Sequence, residues 1–65
     1  MRDITRIPRM IKTIEDLWLR APDMRFGQLI ENLKTFSGYE DLFYLEDDSF
    51  EQLCKDFTDI YLKDR

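Results

Sequence analysis

Isoleucine stands at positions 4, 7, 11 and 14, and Trp18 continues the series. Apolar residues three and four apart fall on one side of an α-helix, because each residue turns the chain by about 100°. The spacing predicts a first helix over about Ile4 to Arg20, with Met10 and Leu17 flanking its apolar stripe. Pro8 must lie in the first turn or two, where its missing N–H matters least. Asp3 or Thr5 is placed to cap this helix. Its opposite face carries Arg2, Arg6, Arg9, Thr13, Asp16 and Arg20.

The stretch "APD" at 21–23 ends the first helix and starts the second. Pro22 disfavours helical geometry at Ala21. Asp23 is expected as the N-cap, its carboxylate accepting from free N–H groups. The second helix is predicted over about Met24 to Phe36, with Phe26, Leu29, Ile30, Leu33 and Phe36 as its stripe. Gly38 follows, free to take a positive φ. A third helix is predicted over about Ser49 to Lys63, with Asp48 and Glu51 at capping-box spacing. Phe50, Leu53, Cys54, Phe57, Ile60 and Tyr61 line one face of it. Between these helices, Leu42-Phe43-Tyr44-Leu45 is too apolar for a solvated loop and reads as a buried crossing segment.

Three short helices, each apolar on one side, must bury those sides together. The expected fold is all-α: a compact three-helix bundle with a partly buried 39–47 connection, one small domain over residues 1–65. The absence of Val lowers the prior for sheet, and two Gly and two Pro leave few turns. Trp18 and the five Phe are expected to supply much of the core. Cys54 is the single cysteine, so no disulfide can reinforce a core of this size. A lone thiol suits a reducing compartment, and the expected location is cytoplasmic. The longest apolar clusters have four residues, whereas a membrane span needs about 20. Arg6, Arg9 and Lys12 interrupt any signal-peptide core.

Catalysis has no residue set to use. His is absent, so the usual acid/base near neutral pH is missing. Cys54 lies on an apolar face with no His to activate it. No glycine-rich phosphate loop occurs, and the chain reads as a non-enzyme without a cofactor. The acids of "YLEDDSFE" at 44–51 lack the alternation and central Gly of a calcium loop, so no metal site is expected.

Charge is distributed unevenly. The net charge is −4, but residues 1–34 hold seven Lys/Arg against five Asp/Glu, and residues 35–65 hold three against nine. The two halves could meet each other or a partner. Arg2, Arg6 and Arg9 oppose the dipole of their own helix, so they are not there to stabilise it. With Arg20 they form a candidate nucleic-acid face, although an acidic protein is a poor general binder of nucleic acid. The stronger expectation is protein binding. Tyr39, Phe43 and Tyr44 lie among Glu40, Asp41, Glu46 and Asp47, a composition suited to an aromatic anchor with a charged rim. Such a surface fits a basic or DNA-binding protein, with the acids standing in for phosphates. A homodimer through Trp18 or Phe43 is also left open by the small core.

"WLRAPDMRFGQLI" from Trp18, followed by "DLFYLEDD" from Asp41, resembles a group of small uncharacterised proteins of bacteria and their phages. Their shared pattern is a Trp, a Pro-Asp turn, an Arg and a Gln-Leu pair, then an Asp-aromatic-acidic segment. More distantly, the chain is similar to the YihD-like family, which is longer at its C-terminus. The resemblance implies a small helical domain, and it implies no activity. It draws notice to Arg25 and Gln28, whose side chains packing alone does not require. Arg25 is expected to pair with an acid of the 40–48 segment and lock it over the second helix. The competing reading makes Arg25, Gln28 and Asn32 a polar contact row. The partner-binding candidates are therefore Arg25, Gln28, Glu40, Asp41, Phe43, Tyr44, Glu46 and Asp47.

Overall fold

A computed structural model describes residues 2–62. Three helices follow one another: α1 (Arg6–Leu19), α2 (Phe26–Ser37) and α3 (Asp47–Ile60). α3 packs on both α1 and α2 and is the element the other two share. The expected three-helix bundle is what forms, with no strand among the described residues. Contacts between α1 and α3 advance along both helices together, from Arg6 with Asp47 to Arg9 with Glu51. The two helices therefore run parallel, and α2 packs on α3.

The buried core takes Leu17 and Ala21 from the end of α1, and Leu29 and Leu33 from α2. α3 supplies Leu53, Cys54 and Phe57, and Leu62 closes the far end. Phe57 is the largest of the fully buried side chains, and Phe36 meets its ring edge-on with centroids 5.4 Å apart. The third helix buries Leu53, Cys54 and Phe57 as its pattern predicts, but Ile60 and Tyr61 of the same stripe are exposed.

The orientation of α1 differs from the expectation. Only the end of the isoleucine stripe reaches the core, where Ile14 and Trp18 pack against it, whereas Ile4 is 72%, Ile7 49% and Ile11 61% exposed. The buried side is instead built from Leu17 and Ala21, with Arg6, Met10, Thr13 and Ile14 half-buried. At about 100° per residue this side lies roughly a quarter turn from the centre of the stripe. The cause is competition for α3. Turning Leu17 and Met10 inward brings Arg6 and Arg9 against the acidic start of α3, whereas an inward isoleucine stripe would leave those charges apart. A chain this short has too little interior to hold both apolar sets.

Trp18 is half-buried rather than central. Its indole N–H donates to the Met24 carbonyl at 2.7 Å, and its ring lies 5.3 Å from that of Phe26. Trp18 thus pins the turn between α1 and α2. That turn also displaces the expected cap. Met24 N–H donates to the Ala21 carbonyl, so residues 21–24 form a turn of their own. Asp23 is left exposed outside the helix, and α2 begins from Arg25, whose ψ of 151° is extended. Gly38 takes the expected positive φ, 81°, directly after α2.

The 39–47 connection divides in two. Leu42 and Leu45 are half-buried against the core, as expected. Phe43 and Tyr44 point outward, so the expectation that these two are buried with Leu42 and Leu45 is corrected. A turn closed by Leu45 N–H on the Leu42 carbonyl puts the two leucines on one side and the two aromatics on the other. α3 then starts at Asp47, two residues before the expected Ser49, with Glu46 extended ahead of it. Asp48 makes no side-chain cap. Asp47 and Asp48 occupy the first turn, where a negative charge suits the helix dipole. Lys63, the expected end of this helix, lies outside the described residues.

Candidate protein-docking surfaces

The Arg face of α1 and the acids of α3 find each other. Arg2 Nη2 lies 3.2 Å from Glu46 Oε2, and Arg6 Nε donates to Asp47 Oδ2. Arg9 holds Glu51 with two hydrogen bonds, Nε to Oε2 at 3.0 Å and Nη2 to Oε1 at 2.7 Å. The two halves of opposite charge thus meet within one molecule. The pairing acts on the ionisation of Asp47 and Arg9. The hydrogen bond from Arg6 holds the Asp47 carboxyl below its ordinary range, against some opposing desolvation. The Glu51 hydrogen bonds raise the Arg9 guanidinium above its usual value.

The Arg25 clamp is not formed. Glu46 and Asp47 are taken by Arg2 and Arg6, and among the described residues no ion pair involves Arg25. Arg25 is exposed, and its backbone N–H donates to Gln28 Oε1 at 2.8 Å. Gln28 is therefore spent on starting α2. Asn32 Nδ2 contacts Met24 Sδ at 3.4 Å. The row of Arg25, Gln28 and Asn32 is thus engaged locally at two of its three positions. Arg20 reaches the Leu62 carbonyl at 3.5 Å, away from the other arginines of the candidate nucleic-acid face.

What stays open is the tip of the 39–47 connection. Phe43 is 83% and Tyr44 84% exposed, and their rings meet edge-on with centroids 4.8 Å apart. Phe43 N–H donates to Asp41 Oδ1 at 3.1 Å, which fixes the turn that presents them. Glu40 and Asp41 are exposed beside the rings. A concavity of about 540 Å³ opens here, lined by Tyr39, Glu40, Asp41, Tyr44, Leu45 and Ser49 together with Glu46, which Arg2 also holds. This aromatic knuckle, seated on Leu42 and Leu45, brings together Glu40, Asp41, Phe43 and Tyr44 of the expected partner-binding set. It excludes Arg25 and Gln28.

A second open surface was missed by the periodicity argument. Ile11, Ile14, Trp18, Leu19, Pro22 and Phe26 line an apolar groove of about 450 Å³. The signal for it is in the strict 3-4-3-4 spacing of the four isoleucines and Trp18. That spacing describes a narrow seam, whereas a helix packed on a globular core has a wider apolar face.

Cys54 is buried, and the loss of solvation pushes its thiol up to about 11, with the negative charge of Glu51 adding to this. It behaves as a small core residue. Among the described residues no three metal-ligating side chains converge. No helix there is long and apolar enough to cross a membrane. No protein-family model, curated protein or solved structure matches the chain.

Proposed function

We propose that the chain is a protein-interaction module that acts by binding rather than by catalysis. The observation that carries this reading is the knuckle. Two large aromatic side chains project into solvent while neighbouring Leu42 and Leu45 hold their backbone to the core. Rigidly presented aromatics are the side chains that anchor protein interfaces, and a charged rim steers the encounter. Glu40 and Asp41 supply a negative rim, so the partner surface is basic. A DNA-binding protein is one such partner, with the carboxylates taking the places of phosphates. A phage-encoded modulator of a host protein, working in the cytoplasm, is the form of this reading that the sequence resemblance suggests, although that resemblance carries no activity. The buried single thiol is compatible with that compartment.

The nucleic-acid alternative uses Arg2, Arg6, Arg9 and Arg20. It is the weaker reading, because a phosphate would have to displace Glu46, Asp47 and Glu51 from the first three.

The test is affinity capture on the full chain and on Phe43→Ala/Tyr44→Ala. A partner retained by the parent, released as salt rises and lost by the variant is expected. A partner held equally by both would place the contact elsewhere. Binding of bare DNA at low salt that Arg2→Ala/Arg9→Ala abolishes would favour the alternative.

A further inference from the structure

The exposed face of α1 carries a pattern that the knuckle lacks. Its apolar residues 7, 11, 14 and 18 alternate in steps of four, three and four. Sustained along a helix, that alternation is the seam by which one helix meets another. Within the chain only Ile14 and Trp18 of this series pack partly on the core, and Ile7 and Ile11 stay uncovered, since Met10, Thr13 and Leu17, on the adjoining side, are what turn inward. Phe26 of α2 and Leu19 extend the uncovered surface beyond Trp18.

We propose that the occupant of this seam is α1 of a second copy of the chain, packed antiparallel across a two-fold axis. The spacing is self-complementary in that direction. With one α1 reversed on the other, Ile7 faces Trp18 and Ile11 faces Ile14, and the axis repeats both layers.

The charges at the rim agree. Lys12 and Glu15 border the seam on the side away from α3, where Lys12 now pairs with Glu15 at 3.1 Å and with Asp16 at 3.0 Å. Antiparallel packing brings Lys12 of each copy within a turn of Glu15 of the other. Parallel packing would carry the Lys12 and Glu15 rims of the two copies to opposite flanks of the seam, where this pairing is not made.

The area also suffices. An exposed Ile, Leu or Phe side chain presents on the order of 100 Å² of apolar surface. Ile7, Ile11, Leu19 and Phe26 are each about half or more exposed, and Ile14, Trp18 and Pro22 add to them. At those fractions the four expose roughly 200–250 Å² per copy and the other three add somewhat less, so a pair buries on the order of 600–800 Å², enough for weak, concentration-dependent pairing. This inference is independent of the knuckle, which faces solvent elsewhere on the chain.

Sedimentation of the full chain from about 1 to about 500 μM tests it. The mass is expected to climb from one chain to two, with the midpoint at tens of micromolar, roughly. Ile11→Glu should keep its helical circular dichroism and stay monomeric throughout. Lys12→Glu should weaken pairing about tenfold, and Lys12→Glu/Glu15→Lys should restore it. Phe43→Ala/Tyr44→Ala should pair like the parent. A parent chain that stays monomeric, a mass beyond two chains, or pairing that survives both Ile11→Glu and Lys12→Glu would overturn the proposal. Pairing lost only in the Phe43 and Tyr44 variant would overturn it too, by moving the contact to the knuckle.

Discussion

Arg9 and Glu51 form a two-pronged contact across the parallel helices α1 and α3, Nε and Nη2 of the guanidinium each donating to a different carboxylate oxygen. The Glu51 side chain is only 13% exposed, so its charge depends on this partner more than the Arg9 charge does. Reversing one charge should lower the melting temperature: Arg9→Glu leaves two carboxylates facing, and Glu51→Arg two guanidiniums. The exchanged pair Arg9→Glu/Glu51→Arg should recover a good part of the loss. Thermal melts of the four proteins check this. Two single losses that simply add in the exchanged protein would mean the contact couples nothing.

Acid should destabilise the fold through the same seam. Asp47 is held low in the folded state chiefly by the Arg6 hydrogen bond, and Asp3 is held low chiefly by the Thr5 N–H. A carboxyl depressed on folding stabilises the fold above its unfolded value, near 4. That contribution disappears as pH falls through the lower folded value. Stability should therefore hold between about pH 7 and pH 5 and fall below about pH 4. Denaturant melts at several pH values measure it. In Asp47→Asn the fall should be shallower.

The helices were legible in the sequence, and the way α1 turns was not. Period alone places Leu29, Leu33, Leu53 and Phe57 inside, because α2 and α3 each have one apolar side and no rival to it. α1 has two claims on its orientation, the isoleucine seam and the arginine row beside Leu17. Which one faces α3 depends on where Asp47 and Glu51 come to rest, and that is a tertiary fact. The knuckle was half legible. Its composition marks residues 39–47 as neither core nor plain loop, but the turn at 42–45 decides which apolar residues point out. Arg25 was misjudged because Arg2 and Arg6 lie far from Glu46 and Asp47 in sequence and close to them in space.

Core and turn aromatics should respond differently to substitution. Phe57→Ala empties the centre of the core, and such truncations cost about 3–5 kcal/mol. In a domain this small that is enough to abolish a cooperative melt. Trp18→Phe keeps most of the packing against Phe26 and loses the hydrogen bond to the Met24 carbonyl. Its cost should be about 1 kcal/mol. Urea unfolding followed by circular dichroism separates the two.

Gly38→Ala isolates a backbone effect. A Cβ there meets nothing within 4 Å, so no clash contributes. The φ of 81° is what an alanine resists, at a cost of about 1–2 kcal/mol. Gly27→Ala, at a position with equally open space but inside α2, should instead gain up to about 1 kcal/mol. Opposite shifts in melting temperature are the expected result, and matching shifts would contradict it.

The knuckle should be dispensable for folding. Phe43 and Tyr44 touch each other and little else, so their removal takes almost no buried area from the core. Phe43→Ser/Tyr44→Ser should melt within about 0.5 kcal/mol of the parent, as surface substitutions do. Leu42→Ser/Leu45→Ser, two residues that pack on the core in the same turn, should melt far lower. If the serine pair at 43 and 44 proved as costly as the pair at 42 and 45, the rings would be part of the core and unavailable to a partner. The contrast between these two variants decides whether the aromatics are held out for binding, and it needs no knowledge of the partner.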